Sequence, residues 1–308
     1  MSTSSGSDAH SARSVGITPP GYRLPAQARV GTVDLQVSDL ERSLAYYQRV
    51  LGLRLLAREG GDAELGAEED RVPLVRLRER RGARRVPPQG RIGLYHFAIL
   101  LPDRPALGRF VAHLAAVDAR AGAADHLVSE ALYLHDPDGL GIEVYADRAR
   151  DTWQSVEGEL RMATLPLDVA GVVAAGQGAP WTGMPAGTTM GHVHLHVGDL
   201  GHASDFYHAA LGLDTMVWSY TGALFLAAGG YHHHLGLNTW AGKDAIPAPE
   251  DEARLLAWQL LLPDANAIAE ARQSIESRGF AARSVDGGWF SGDPWGTTLH
   301  VAVDPRAT

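Results

Sequence analysis

Between Gly31 and Val37 apolar and polar residues alternate as in a strand, Ser38 or Asp39 can cap a helix, and the spacing through Val50 is helical. Leu51-Gly52-Leu53 closes that helix. The same switch of period returns over residues 191–213 at a constant offset of 160: Leu35 matches Leu195, Asp39 matches Asp199, Tyr47 matches Tyr207 and Gly52 matches Gly212. A second kind of copy lies between and after these. YHFAILLPD (95–103) lines up with LAWQLLLPD (256–264), and HDPDGLGIEVYAD (135–147) with GDPWGTTLHVAVD (292–304). The pattern therefore predicts four units, near residues 29–80, 92–147, 190–242 and 253–304, each a strand, a helix and about three further strands. One helix over a half-sheet cannot close a core, so such units must pair.

The stretch YLHDPDGLGIE (133–143) predicts a hairpin in which Tyr133 opens one strand, Asp136-Pro137-Asp138-Gly139 turns, and Gly141–Tyr145 returns with Glu143 beside Tyr133. A carboxylate inside an apolar strand is costly unless it meets a cation, a hydrogen-bond network or a metal. Around the repeats, residues 1–28 read as a flexible arm, 29–147 as the first half, 148–189 as a connector with a helical piece near Leu167–Ala175, and 190–304 as the second half. The basic run RLRERRGARR (76–85) reads as a solvated hairpin tip, ahead of a site for an anionic partner.

Composition narrows the function. A chain of 308 residues, 45% hydrophobic, suits two domains with real cores. A formal charge of -9 argues against a nucleic-acid partner, which needs a basic face. With no cysteine there is no disulfide, thiolate nucleophile or cysteine-held metal. No apolar run approaches the roughly 20 residues of a membrane span, and residues 1–26 lack a signal-peptide core, so a cytoplasmic protein without a membrane partner is expected.

Four βαβββ units carrying GLYHFAILLPD, DPDGLGIEVYADR, GHVHLHV and GGYHHHLGLNTW resemble the vicinal-oxygen-chelate superfamily over residues 29–304, and within it extradiol ring-cleaving dioxygenases of the catechol 2,3-dioxygenase type. The resemblance implies an α+β fold of two incomplete barrels, and a metal held by the first strands of two paired units and the last strand of one. Here those positions carry His96, His192 and Glu143. Two imidazoles and one carboxylate suit iron(II), with manganese(II) as the alternative. Singly, His96 reads as a hydrogen-bonded core histidine and Glu143 as the partner of a buried arginine or a helix end; together, at matching positions, the three read as a metal site.

The repeats supply an internal control. Units one and four carry Thr32, Ala257 and His300 where units three and two carry His192, His96 and Glu143. One site per chain follows, built by units two and three, with units one and four pairing as scaffold. This crosses the commoner order of the family, in which units three and four make the working cup. His194 shares the strand face of His192 and competes for its place; otherwise it faces the substrate.

The resemblance also places the acid–base residue at His233, where unit one has Pro73, with His232 or His234 as replacements if the strand is shifted by one. Tyr133, ten residues before Glu143, would hydrogen-bond a substrate oxygen; its counterpart in unit four is Phe290. His126 would bind substrate as well, and His135 falls in the turn. The implied reaction is cleavage of a catechol-type ring with O₂, in an enzyme that forms a dimer or larger assembly. The rivals are a metal-dependent lyase or isomerase of glyoxalase type, for which the strand after His233 has no second carboxylate, and a metal-free protein that binds aromatic compounds.

Overall fold

A computed structural model describes residues 15–307. Each of the four units opens with a strand followed by a helix, and each helix starts at an aspartate. Asp39, Asp103, Asp199 and Asp264 accept the backbone N–H three residues on, at 3.0, 2.7, 2.8 and 2.9 Å. The helices they cap run Leu40–Arg49, Arg104–Ala116, Leu200–Ser204 and Ala265–Ser277. The third continues as a π-helical turn over Asp205–Ala210, a departure from its regular counterpart in unit one.

The strands form two sheets, and each sheet takes one unit from either half of the chain. One runs Asp214–Val217, Ala223–Ala227, Leu235–Asn238, Thr189–His196, Arg91–Leu100, Gly141–Asp147, Ser129–His135 and Gly122–Asp125, with the short strand Ile246–Pro247 beside Arg91–Leu100. It is made by units three and two. The other joins units four and one: Arg283–Val285, Gly288–Gly292, Thr298–Val303, Arg254–Leu262, Arg29–Val37, Val75–Glu79, Asp62–Gly66 and Arg54–Glu59. The two first strands meet antiparallel at the centre of each sheet. The crossed pairing expected from the ligand positions is thus the one seen, and the halves 29–147 and 190–304 interleave.

Strand Thr189–His196 shows how the sequence builds this. Val193 and Leu195 are fully buried on the helix side, in the main core with Phe97 and Phe206. His192 and His194 alternate with them onto the opposite face and are buried too. A strand whose polar residues are as buried as its apolar ones lines a cup.

Other expectations shift. The strand before the Asp-Pro turn begins at Ser129, four residues ahead of Tyr133. The basic run starts inside strand Val75–Glu79, where Arg76 and Arg78 face Asp34, and ends as expected in a largely exposed turn, in which Arg80 lies 3.7 Å from Glu250 and Arg84 lies 3.1 and 3.0 Å from Asp251 and Glu252. These arginines meet acidic partners while remaining in contact with solvent. Residues 15–28, the end of the stretch expected as a flexible arm, lie against unit three, with Leu24 buried and Arg23 paired to Asp214. The remainder of that stretch is outside the described residues. The connector contains the helix Val169–Ala175, and no helix among the described residues is long and apolar enough to cross a membrane.

Candidate metal centre

The cup of the sheet from units two and three gathers His96, Glu143 and His192, all buried, with one ligand atom from each within 4.8 Å of the others. Both histidine Nε2 atoms converge on a single oxygen, Glu143 Oε2: His96 at 3.0 Å and His192 at 3.1 Å. The His192 contact is a hydrogen bond, whereas His96 Nε2 finds no hydrogen-bond partner among the described residues although it is buried. Glu143 is 2% exposed, and no arginine or lysine among the described residues pairs with it. A buried carboxylate faced only by imidazoles, each with a buried nitrogen that has no hydrogen-bond partner among the described residues, lacks the cation that would offset its desolvation. The donor set fits a divalent metal that accepts nitrogen and oxygen ligands.

The electrostatics agree. Burial pushes His192 down to about 4, and His194 and His233 well below the usual histidine value, so these rings stay neutral at pH 7 with lone pairs available. Burial opposes ionisation of Glu143, but the His192 and His96 nitrogens facing it hold its carboxyl well below the ordinary range.

A cavity of about 330 Å³ opens beside the cluster and is lined by His96, Glu143, Tyr133, His126, His194 and His233, among others. Tyr133 pairs with Glu143 in register across the hairpin. His126 Nδ1 donates to the Ala163 carbonyl at 2.7 Å, so in the neutral ring Nε2 is the acceptor and takes the Tyr133 hydroxyl proton at 2.6 Å. Tyr133 therefore turns an oxygen lone pair, not its proton, toward the cavity.

His194 is not in the ligand cluster. Asn238 Oδ1 accepts the Trp240 backbone N–H at 3.0 Å, which orients the amide so that Nδ2 donates to His194 Nε2 at 2.9 Å. His194 thus carries its proton on Nδ1. Of the histidine run, His233 lines the cavity, His232 faces Asp147, and His234 accepts the Ala228 backbone N–H. His135 is exposed.

Sequence reasoning passed over Asn238 and Asp147, although alternation along Gly141–Asp147 puts Asp147 on the face of Glu143. It had no means of placing Met162, Ala163 and Thr164, which come from the connector and wall the cavity.

In the other sheet, Asp34 occupies the place of His194 and lies 3.7 and 3.8 Å from Arg76 and Arg78. Ion pairs line that cup in place of the histidines.

Fold and donor set together define a vicinal-oxygen-chelate protein, and the comparisons agree. The Glyoxalase/Bleomycin resistance protein/Dioxygenase superfamily pattern matches residues 29–144. The chain is 42% identical over 268 residues to the catechol-2,3-dioxygenase of Bacillus subtilis (strain 168), covering 86% of this chain and 93% of that one. It belongs to that superfamily, in the dioxygenase family of the Bacillus protein. Among solved structures, a protein of Bacillus subtilis subsp. subtilis str. 168 aligns over 92% of this chain and 87% of its own, with a TM-score of 0.63 at 15% identity. Glyoxalase I of Zea mays aligns over 90% and 92%, with a TM-score of 0.52 at 17% identity. These two likenesses establish the fold.

Proposed function

We propose that the protein is an iron(II)-dependent extradiol dioxygenase that opens the ring of a catechol-type substrate with O₂. The observation that carries this is the two-histidine, one-glutamate cluster opening onto an aromatic cavity that also holds His233, Tyr133 and His126. The name of the Bacillus relative points the same way. His96, His192 and Glu143 would hold the metal, and manganese(II) suits the same donors. Bound there, the metal would supply chelation of both substrate hydroxyls and the redox chemistry that activates O₂.

The chain's own residues would handle binding and protons. His233 accepts a proton from a substrate hydroxyl at Nε2 and returns one as the O–O bond breaks. The Tyr133 oxygen, turned outward by the hydrogen bond to His126, receives the hydrogen of a substrate hydroxyl. His194 offers its Nδ1–H to the ring or its oxygens. A glyoxalase-type lyase reading is weaker, because the strand Leu235–Asn238 carries no carboxylate to complete such a ligand set.

The test is anaerobic loading with iron(II), then oxygen uptake and ring-opened product absorbance with catechol, in wild type, Glu143→Gln and His233→Ala. Uptake by wild type, loss of iron in Glu143→Gln, and retained iron with stalled turnover in His233→Ala are expected. Stoichiometric iron with no uptake on any of a panel of catechols would sink the proposal.

A further inference from the structure

Given the dioxygenase reading, we infer that Asp147 and His232 are positioning residues that fix the tautomer of His233, so that its Nε2 presents a bare lone pair to the cavity. His232 is fully buried, and its Nε2 lies 2.9 Å from Asp147 Oδ1. A carboxylate only accepts, so His232 carries its proton on Nε2. Its Nδ1 then has a lone pair and lies 2.7 Å from His233 Nδ1. Two nitrogens at that distance share one proton, and with the single proton of a neutral His232 on Nε2 it comes from His233. His233 is thereby protonated on Nδ1, the atom through which its one hydrogen bond among the described residues is made, and its Nε2 is left free in a ring that lines the cavity. A carboxylate that sets the tautomer of a working imidazole is a known device. Here it acts through a second ring.

Asp147 is itself held. Tyr231 donates its hydroxyl to Asp147 Oδ1 at 3.2 Å, having no other proton to give, so Tyr145 donates to Tyr231 at 2.7 Å. Two donors on one oxygen keep that oxygen an acceptor toward His232.

The second sheet shows that this array is not required by the fold. Asp304 stands where Asp147 does, yet it pairs with Arg29. By the repeat offsets, Ala302 replaces Tyr145, Arg71 replaces Tyr231, Val72 replaces His232 and Pro73 replaces His233. The relay occurs in the cup that holds the ligand cluster and is missing from the cup that lacks it. A clasp serving only the sheet would have no reason to follow the cluster.

The deciding measurement is long-range proton–nitrogen correlation NMR of the histidine rings in the metal-free wild-type chain, with His233 assigned by His233→Gln. The inference requires His233 protonated on Nδ1 and bare on Nε2. A His233 protonated on Nε2 overturns it, whatever the variants do. In the iron-loaded enzyme, Asp147→Ala removes the acceptor and should lower kcat by roughly 10²-fold, with iron content unchanged and KM for catechol within about twofold. Asp147→Asn, whose carbonyl can accept in place of Oδ1, should recover most of the rate. An Asp147→Ala enzyme with wild-type kcat and an unchanged His233 tautomer also overturns the relay. A wild type that takes up no oxygen overturns the dioxygenase reading instead, and the wild-type tautomer still decides the relay.

Discussion

His194 and Asp34 hold the same place in the repeat, and what faces them distinguishes a cup lined by histidines from one lined by ion pairs. Opposite His194 stands Gly236, with Asn238 on the diagonal hydrogen-bonding to it; opposite Asp34 stands Arg76, with Arg78 on the diagonal. A Cβ on Gly236 would come within 2.7 Å of the His194 ring, so glycine is what makes room for the imidazole there. Gly236→Ala should lower stability by about 1–3 kcal/mol through overpacking, measured by denaturant titration, and should raise KM for catechol more than it alters iron content. Glu143→Gln keeps the shape of the side chain but removes the anionic ligand. Metal affinity should fall by at least about 100-fold, beyond the usual cost of losing a supporting hydrogen bond, as read by competitive titration. At the residue level it was the resemblance to the family that pointed to His233 and Tyr133, and both line the cavity. What alternation and spacing omit is the partner across the sheet: Asn238 matters because it lies beside His194, which depends on strand register rather than on sequence distance.

At the level of elements, the Asp-Pro turns do more than reverse the chain. Asp136 accepts the backbone N–H groups of Asp138 and Leu140 at 2.8 and 2.9 Å and faces the hydroxyl of Tyr47 at 3.3 Å. Its repeat partner Asp293 does the same with Trp295, Thr297 and Tyr207 at 3.0, 2.8 and 3.0 Å. Each pair ties the helix of one unit to the last hairpin of the next, linking the two sheets. Burial pushes the Asp136 carboxyl up from 3.8 to about 6 despite its donors. The folded state then binds this proton more tightly than the unfolded chain does. Its contribution favours the fold below pH 4 and is lost as pH rises through about 6. Asp136→Asn removes that dependence, so the difference in unfolding free energy between wild type and variant should shift against wild type by up to roughly 3 kcal/mol from pH 4 to 7. Chemical unfolding at several pH values reads it, and a difference independent of pH would contradict it. The turn was visible in the sequence; its link to Tyr47 was not, because the two lie in different sheets.

Across the whole molecule, two interleaved sheets must stay in register for one cup to form. Glu252, 1% exposed, meets Arg91 at 2.6 Å and Arg84 at 3.0 Å, joining the first strand of unit two to the approach of unit four. Arg91→Ala leaves this carboxylate with one partner. Because both arginines reach solvent, the loss should be about 1–2 kcal/mol, short of the cost for a deeply buried pair, and it should appear as a lower midpoint of thermal unfolding. Repeat analysis could find the four units and, from where the ligands fall, which of them pair. It could not see that the connector walls the cavity with Met162, Ala163 and Thr164, since those residues repeat nowhere and carry no periodic signal. Ring cleavage with O₂ in the cup of units two and three is the activity proposed for the molecule. The most direct test is turnover of catechol by the iron-loaded protein under isotopically heavy dioxygen, with mass spectrometry of the product. Both heavy oxygen atoms in one ring-opened product are predicted; a product without them, or a converted substrate with its ring intact, would contradict the assignment.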